Sequence, residues 1–135
     1  DHSWSLVWAG DSRAYLFRGG QLKQISRDHS HVEELIAAGA LKPEEAENHP
    51  MSNVITRAVG ADDALDVEIK TGAAQRDDIY LLCSDGLNKM LDDATIEQLL
   101  IETGDNIEEA CSALLHAALV REANDNVTVV LIRKH

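Results

Sequence analysis

Apolar residues follow two rhythms along this chain. Leu6-Val7-Trp8-Ala9 is a short apolar run that ends at Gly10-Asp11, and Ala14-Tyr15-Leu16-Phe17 is a second. Runs of this length, bounded by turn residues, predict strands. Gly19-Gly20 predicts a two-residue hairpin turn, because glycine supplies φ > 0. Gln21 to Ile25 then alternates polar and apolar, as a half-buried strand does. Leu65, Val67 and Ile69 alternate with Asp66, Glu68 and Lys70 and predict a further strand. Ile79-Tyr80-Leu81-Leu82-Cys83 and Val127 to Ile132 are almost unbroken apolar runs and predict central, buried strands.

The second rhythm is helical. Ser30 and Glu33 have capping-box spacing ahead of Val32, Leu35 and Ile36, and Gly39 is a natural stop. Pro43 opens a shorter helix through Glu47, and His49-Pro50 ends it. Asp92 or Asp93 can cap a helix that carries Ile96, Leu99 and Leu100. A longer helix places Ile107, Ala110, Cys111, Leu114, Leu115, Ala118 and Leu119 on one stripe. Asn124-Asp125-Asn126 reads as a turn before the last strand. The stretch from Ser30 to Asn53 is polar and helical between strands, an excursion from a sheet. Trp4 and Trp8 share one strand face and read as packing.

Composition narrows the picture. The chain has 135 residues, enough for one domain, and 44% of them are hydrophobic, so it can bury a core. Twelve basic against twenty-four acidic residues give a formal net charge of −12. That charge repels phosphate backbones and anionic headgroups, so neither nucleic acid nor a membrane surface is an expected partner. No apolar run reaches the ~18 residues of a membrane span. No signal peptide is visible, and Cys83 and Cys111 read as free thiols, which together favour a cytoplasmic setting. The chain opens on Asp1-His2 with a strand pattern almost at once, and reads as a piece of a longer protein.

Four short motifs follow in order: Gly10-Asp11-Ser12-Arg13, Asp28-His29-Ser30, Ser84-Asp85-Gly86 and Asp125-Asn126. Asp11, Asp85 and Asp125 each stand where an apolar strand meets a loop. Taken singly, each is an ordinary turn residue whose side chain can bond its own backbone. Taken together, three carboxylates on strand-end mounts form a metal-site pattern. Hard cations such as Mg²⁺ and Mn²⁺ take such oxygen ligands. Ser12 and Ser84 have no visible base to activate them, and the histidines His31, His49 and His116 lack a partner at zinc-ligand spacing. His29 reads as a structural loop residue. Arg13 and Arg57 can orient carboxylates by bidentate pairing.

These motifs, with Ile55-Thr56-Arg57-Ala58-Val59-Gly60, Leu81-Leu82-Cys83-Ser84-Asp85-Gly86-Leu87 and Asp125-Asn126-Val127-Thr128-Val129, resemble the C-terminal part of a metal-dependent serine/threonine protein phosphatase. The family is the PPM or type 2C family in its compact bacterial form. The resemblance runs from about Leu6 to Ile132. It implies an α+β fold of two stacked antiparallel β-sheets flanked by α-helices, an αββα sandwich whose N-terminal strands are missing here. Residues 1–135 would be the C-terminal part of a single catalytic domain, with 30–53 as a flap beside the active site. It also implies a mechanism in which two metal ions bridge a water, lower its pKa and aim it at phosphorus.

By the same resemblance, Asp85 and Asp125 would hold the second metal. Asp11 with Asp85 would hold a third, so the complete domain would take two to three Mg²⁺ or Mn²⁺ ions. The expected partner is a phosphoprotein, a target of a serine/threonine kinase. The family's Asp-Gly-containing motif, which bridges the metals, is absent from this sequence. The glycine pair usual before Asp125 is replaced by Glu122-Ala123. The piece alone is therefore expected to be catalytically silent, and to self-associate or to need its N-terminal part. The alternative is a non-catalytic, phosphatase-like binding or regulatory module.

Overall fold

The computed structural model describes residues 2–121 and 125–135. Among the described residues, six strands and four helices follow the order β1 (Ser3–Trp8), β2 (Arg13–Arg18), β3 (Gln21–Gln24), α1 (His31–Ala37), β4 (Glu68–Ala73), β5 (Ile79–Cys83), α2 (Asp85–Asn88), α3 (Asp93–Thr103), α4 (Ile107–Val120) and β6 (Val129–Arg133). A 3₁₀ turn occupies Pro43–Glu45. The strands form two antiparallel sheets, a pair β1-β4 and a four-stranded sheet in the order β3-β2-β5-β6. This is the expected α+β class with two antiparallel sheets.

Local sequence explains most boundaries. Gly19 and Gly20 have φ of +58° and +77°, the twist that a two-residue hairpin needs. Ser30 caps α1, its hydroxyl accepting from the Glu33 amide, and Asp92 and Asn106 cap α3 and α4 in the same way. The last strand begins at Val129, two residues later than the apolar run suggests. Of the predicted turn before it, Asn124 lies outside the described residues.

One strand is displaced from its predicted place. The alternation at Leu65–Lys70 suggests a strand there, yet β4 runs from Glu68 to Ala73, and Leu65 and Val67 are exposed. Pairing decides this. Trp8 lies opposite Glu68 and is the last residue of β1, so residues 65–67 have no neighbour to bond. At the other end Gly72 lies opposite Trp4, and a Cβ at 72 would collide with the indole.

The core lies between the four-stranded sheet and the helices. Tyr15, Leu81 and Cys83 from the sheet meet Leu87, Leu91, Ile96, Leu100, Ala110, Leu114 and Ala118, all nearly or fully buried. The helical stripe of α4 narrows to Ala110, Leu114 and Ala118, while Leu115 and Leu119 are exposed. The other face of the sheet turns toward β1. An apolar cleft of about 450 Å³ there is lined by Leu6, Val7, Trp8, Leu82 and Val130, among others. Leu82 is therefore part-exposed, although its run reads as wholly buried. Trp4 and Trp8 pack inward from β1. Trp4 meets the edge of Tyr80, and Trp8 stacks on His29 with ring centres 5.8 Å apart. Among the described residues, no helix is long and apolar enough to cross a membrane.

Candidate metal centre

At one end of the four-stranded sheet, three chain segments meet. The first is the Gly10-Asp11 turn between β1 and β2. Gly10 has φ of +118°, a conformation that side chains rarely adopt. Its amide donates to His29 Nδ1 at 3.0 Å, and its carbonyl accepts from the His29 amide at 2.9 Å. These two bonds lock the Asp11 turn to the Asp28-His29-Ser30 segment. His29 is 5% exposed, so its role is structural, as the sequence suggests.

The second segment follows β5. The sequence reads Ser84-Asp85-Gly86 as a loop, but Asp85 opens the short helix α2. A helix of four residues leaves too little periodicity to detect. The third segment carries Asp125-Asn126, and it sits hard against α2. Ser84 Oγ donates to the Asn126 carbonyl at 3.2 Å and accepts from the Thr128 amide at 3.0 Å. Any Cβ at Gly86 would collide with that same carbonyl. Glycine at 86 is thus what lets the Asp125 loop approach the start of α2.

Asp11 and Asp85 come together on a polar cleft of about 700 Å³. Its lining also includes Arg13, Asp28, Asn53, Asn88, Lys89 and Arg121. Burial, and then the nearby Asp85 carboxylate, hold the Asp11 carboxyl above its ordinary pKa, while Lys89 pulls it back. Two part-buried carboxylates that repel each other are a donor pair that a hard cation relieves. Asp125 does not line this cleft. It is exposed on the adjoining loop, where its Oδ1 accepts from the Asn126 amide. Among the described residues, no three carboxylate, imidazole or thiolate groups converge. This chain thus brings a pair of carboxylates together, with a third on the neighbouring loop.

A second layer holds the cleft in shape. Arg13 grips Asp28 with both Nε and Nη2, at 3.0 and 2.8 Å, and its Nη1 donates to the Tyr15 hydroxyl. Tyr15 in turn donates to Asp93 at the start of α3. Burial disfavours the Arg13 cation, but its bonds to Asp28 outweigh this and keep it protonated. Burial likewise pushes the Cys83 thiol up to about 12, which makes it an inert core residue rather than a nucleophile. Cys83 and Cys111 are both free.

Lys89 went unnoticed in the sequence. Its Nζ donates to Asp85 Oδ2 and to Asn53 Oδ1, each at 2.8 Å. The i, i+4 spacing of Asp85 and Lys89 carries the signal, but only once Asp85 is known to be helical. Ser30, Val32, Pro43, Ala46, Glu47, Ser52 and Asn53 also line the cleft, so the polar 30–53 excursion forms one of its walls.

Comparison with known proteins places this geometry. No family model matches the chain. The serine/threonine phosphatase stp of Listeria innocua is 35% identical over 126 residues, covering 93% of this chain and 50% of that protein. PppA of Pseudomonas aeruginosa, described as a key regulatory component of T6SS, superposes with a TM-score of 0.88 at 40% identity. That match covers 99% of this chain and 54% of PppA. The catalytic domain of the serine/threonine protein phosphatase PstP, solved with two manganese ions, superposes with a TM-score of 0.84 at 37% identity, over 97% of this chain and 53% of that one. The chain thus spans about half the length of these relatives, and over that span it is similar in sequence and in fold to PPM-type serine/threonine phosphatases.

Proposed function

We propose that the protein carrying this chain is a metal-dependent phosphatase that hydrolyses phosphoserine and phosphothreonine in proteins. The observation that carries this reading is the meeting of Asp11 and Asp85 on one polar cleft, in a backbone that follows PPM phosphatases almost from end to end. Asp11, Asp85 and Asp125 are the metal-holding residues in this reading, with Asp85 central, and the manganese found in PstP supports Mn²⁺ as one suitable ion. Mg²⁺, equally hard and oxygen-seeking, is the other. Divalent cations bound there would supply an activated water and an electrophilic clamp on the phosphoryl group.

The chain's own residues do the positioning. Gly10 and His29 fix the turn that carries Asp11. The first turn of α2 fixes Asp85, and Arg13 holds Asp28 in place on the cleft as its ion-pair partner. The 30–53 wall limits what enters. The chain is the C-terminal part of one catalytic domain in this proposal, and the metal-bridging aspartate comes from elsewhere in that domain. The substrates are phosphoproteins, targets of a serine/threonine kinase. A cytoplasmic setting suits the two unpaired thiols.

The test is turnover of a phosphothreonine peptide by the full-length protein, with Mn²⁺ and with a chelator. Turnover should depend on the metal and vanish with the chelator. Equal turnover in both would sink the metal-dependent reading, and no turnover in either would leave a phosphatase-like binding module.

A further inference from the structure

We infer that Lys89 is a positioning residue that tethers the 43–53 segment to Asp85 in the metal-free protein and releases it when a divalent cation binds. The inference rests on the metal-site reading above and adds a mechanical consequence to it.

The tether is visible in the bonding of the segment. Among the described residues, no side chain between 43 and 53 is buried. Its backbone bonds are local turns: Ala46 to Pro43, His49 to Ala46 and Ser52 to His49. Its side-chain bonds are local too, with Glu45 accepting from the Lys42 amide and His49 Nδ1 from the Met51 amide. Among the described residues, the side-chain bond from this stretch to the helical body is that from Lys89 Nζ to Asn53 Oδ1, next to the point where the His31 amide bonds the Val54 carbonyl and Ser30 bridges Ile55. A segment with no fully buried side chain and only local backbone bonds of its own lies at the low end of local stability.

The other end of the tether is a metal-holding carboxylate. Lys89 Nζ sits on Asp85 Oδ2, so an incoming cation at that oxygen must displace the ammonium or accept it as a close neighbour. A dication and an ammonium about 4 Å apart repel by roughly 2 kcal/mol even at the dielectric of water. Both Lys89 contacts are part-exposed, so neither is strong enough to hold against a chelated dication. Cation entry therefore turns Lys89 outward and unties Asn53. The cleft wall is held closed when the site lacks metal and is free to admit a phosphopeptide once the site is loaded.

The experiment uses the full-length protein and two readouts other than turnover: Mn²⁺ affinity by calorimetry, and hydrogen exchange at residues 43–53. In the wild-type protein, Mn²⁺ should speed exchange across 43–53. Lys89→Met, which keeps the aliphatic stem, should speed it without metal and raise Mn²⁺ affinity about tenfold. Asn53→Ala should give the same fast, metal-independent exchange with affinity within about threefold of wild type. Two results overturn the inference alone: Mn²⁺ slowing or leaving unchanged the exchange at 43–53, or Lys89→Met leaving affinity unchanged while Asp85→Asn still weakens it. Absence of any Asp85-dependent Mn²⁺ binding overturns the proposed function, and the inference with it.

Discussion

Replacing Asp85 with asparagine in the full-length protein is expected to lower metal-dependent turnover more than about 100-fold, since losing even an outer-shell partner of a metal ligand costs 10–100-fold. The change keeps the shape of the side chain and removes its charge. Asp85 stands on the most rigid mount available, the first helical turn after a strand paired on both sides. It is also the carboxylate that the family resemblance assigns to two metal positions, whereas Asp11 and Asp125 have one each. Asp11→Asn and Asp125→Asn should therefore cost less. Raising Mn²⁺ should restore part of the rate in those two variants and little in Asp85→Asn. Near-normal turnover in Asp85→Asn, with Asp125→Asn inactive, would show that the roles are assigned wrongly.

The largest effect on stability is expected far from the cleft, at Asp78. This carboxylate is 1% exposed and accepts four hydrogen bonds: from Arg18 Nε and Nη2, both at 2.7 Å, from the Gln75 amide at 2.8 Å and from the Tyr80 hydroxyl at 3.1 Å. It joins β2, β5 and the turn between β4 and β5 at one point. Asp78→Ala should cost about 3 kcal/mol, because it strands those donors. Asp105→Ala should cost less than about 0.5 kcal/mol, since that carboxylate is 91% exposed beside Arg133. Urea titration of the two variants makes the comparison.

The same site sets a pH dependence. The Arg18 hydrogen bonds hold the Asp78 pKa below its ordinary 3.8, against the opposing effect of burial. A carboxylate whose pKa is lowered by folding binds protons more readily when unfolded. Its stabilising contribution is thus fully present above the ordinary carboxylate range and is lost as pH falls through the lowered value. Asp78→Asn should flatten the acid limb of the stability curve. An unchanged acid limb would show that Asp78 does not contribute to it.

How much of this could be read from residues alone varies with the length scale of the signal. Several of the longer patterns survived: β2, β3, β5, α3 and α4 all lie where apolar spacing puts them. What failed depended on partners. The strand at Leu65–Lys70 moved to Glu68–Ala73 because the end of β1 at Trp8, not local alternation, decides where pairing stops. Helix α2 was hidden because four residues hold no period. The candidate site was legible as motifs, and the structure brings Asp11 and Asp85 to one cleft. It could not be legible that Gly86 is needed for clearance under the Asn126 carbonyl, or that Lys89 bridges Asp85 to Asn53. Those depend on segments 40 and 36 positions apart in the chain, Gly86 to Asn126 and Lys89 to Asn53.

The central claim is that Asp11 and Asp85 share a divalent cation site. Anomalous diffraction from crystals of the full-length protein grown with Mn²⁺ tests it most directly. The account predicts a manganese peak in direct contact with an Asp85 carboxylate oxygen, lost in crystals of Asp85→Asn. Manganese bound only elsewhere on the surface, with the ammonium of Lys89 still seated on Asp85 at saturating Mn²⁺, would contradict it.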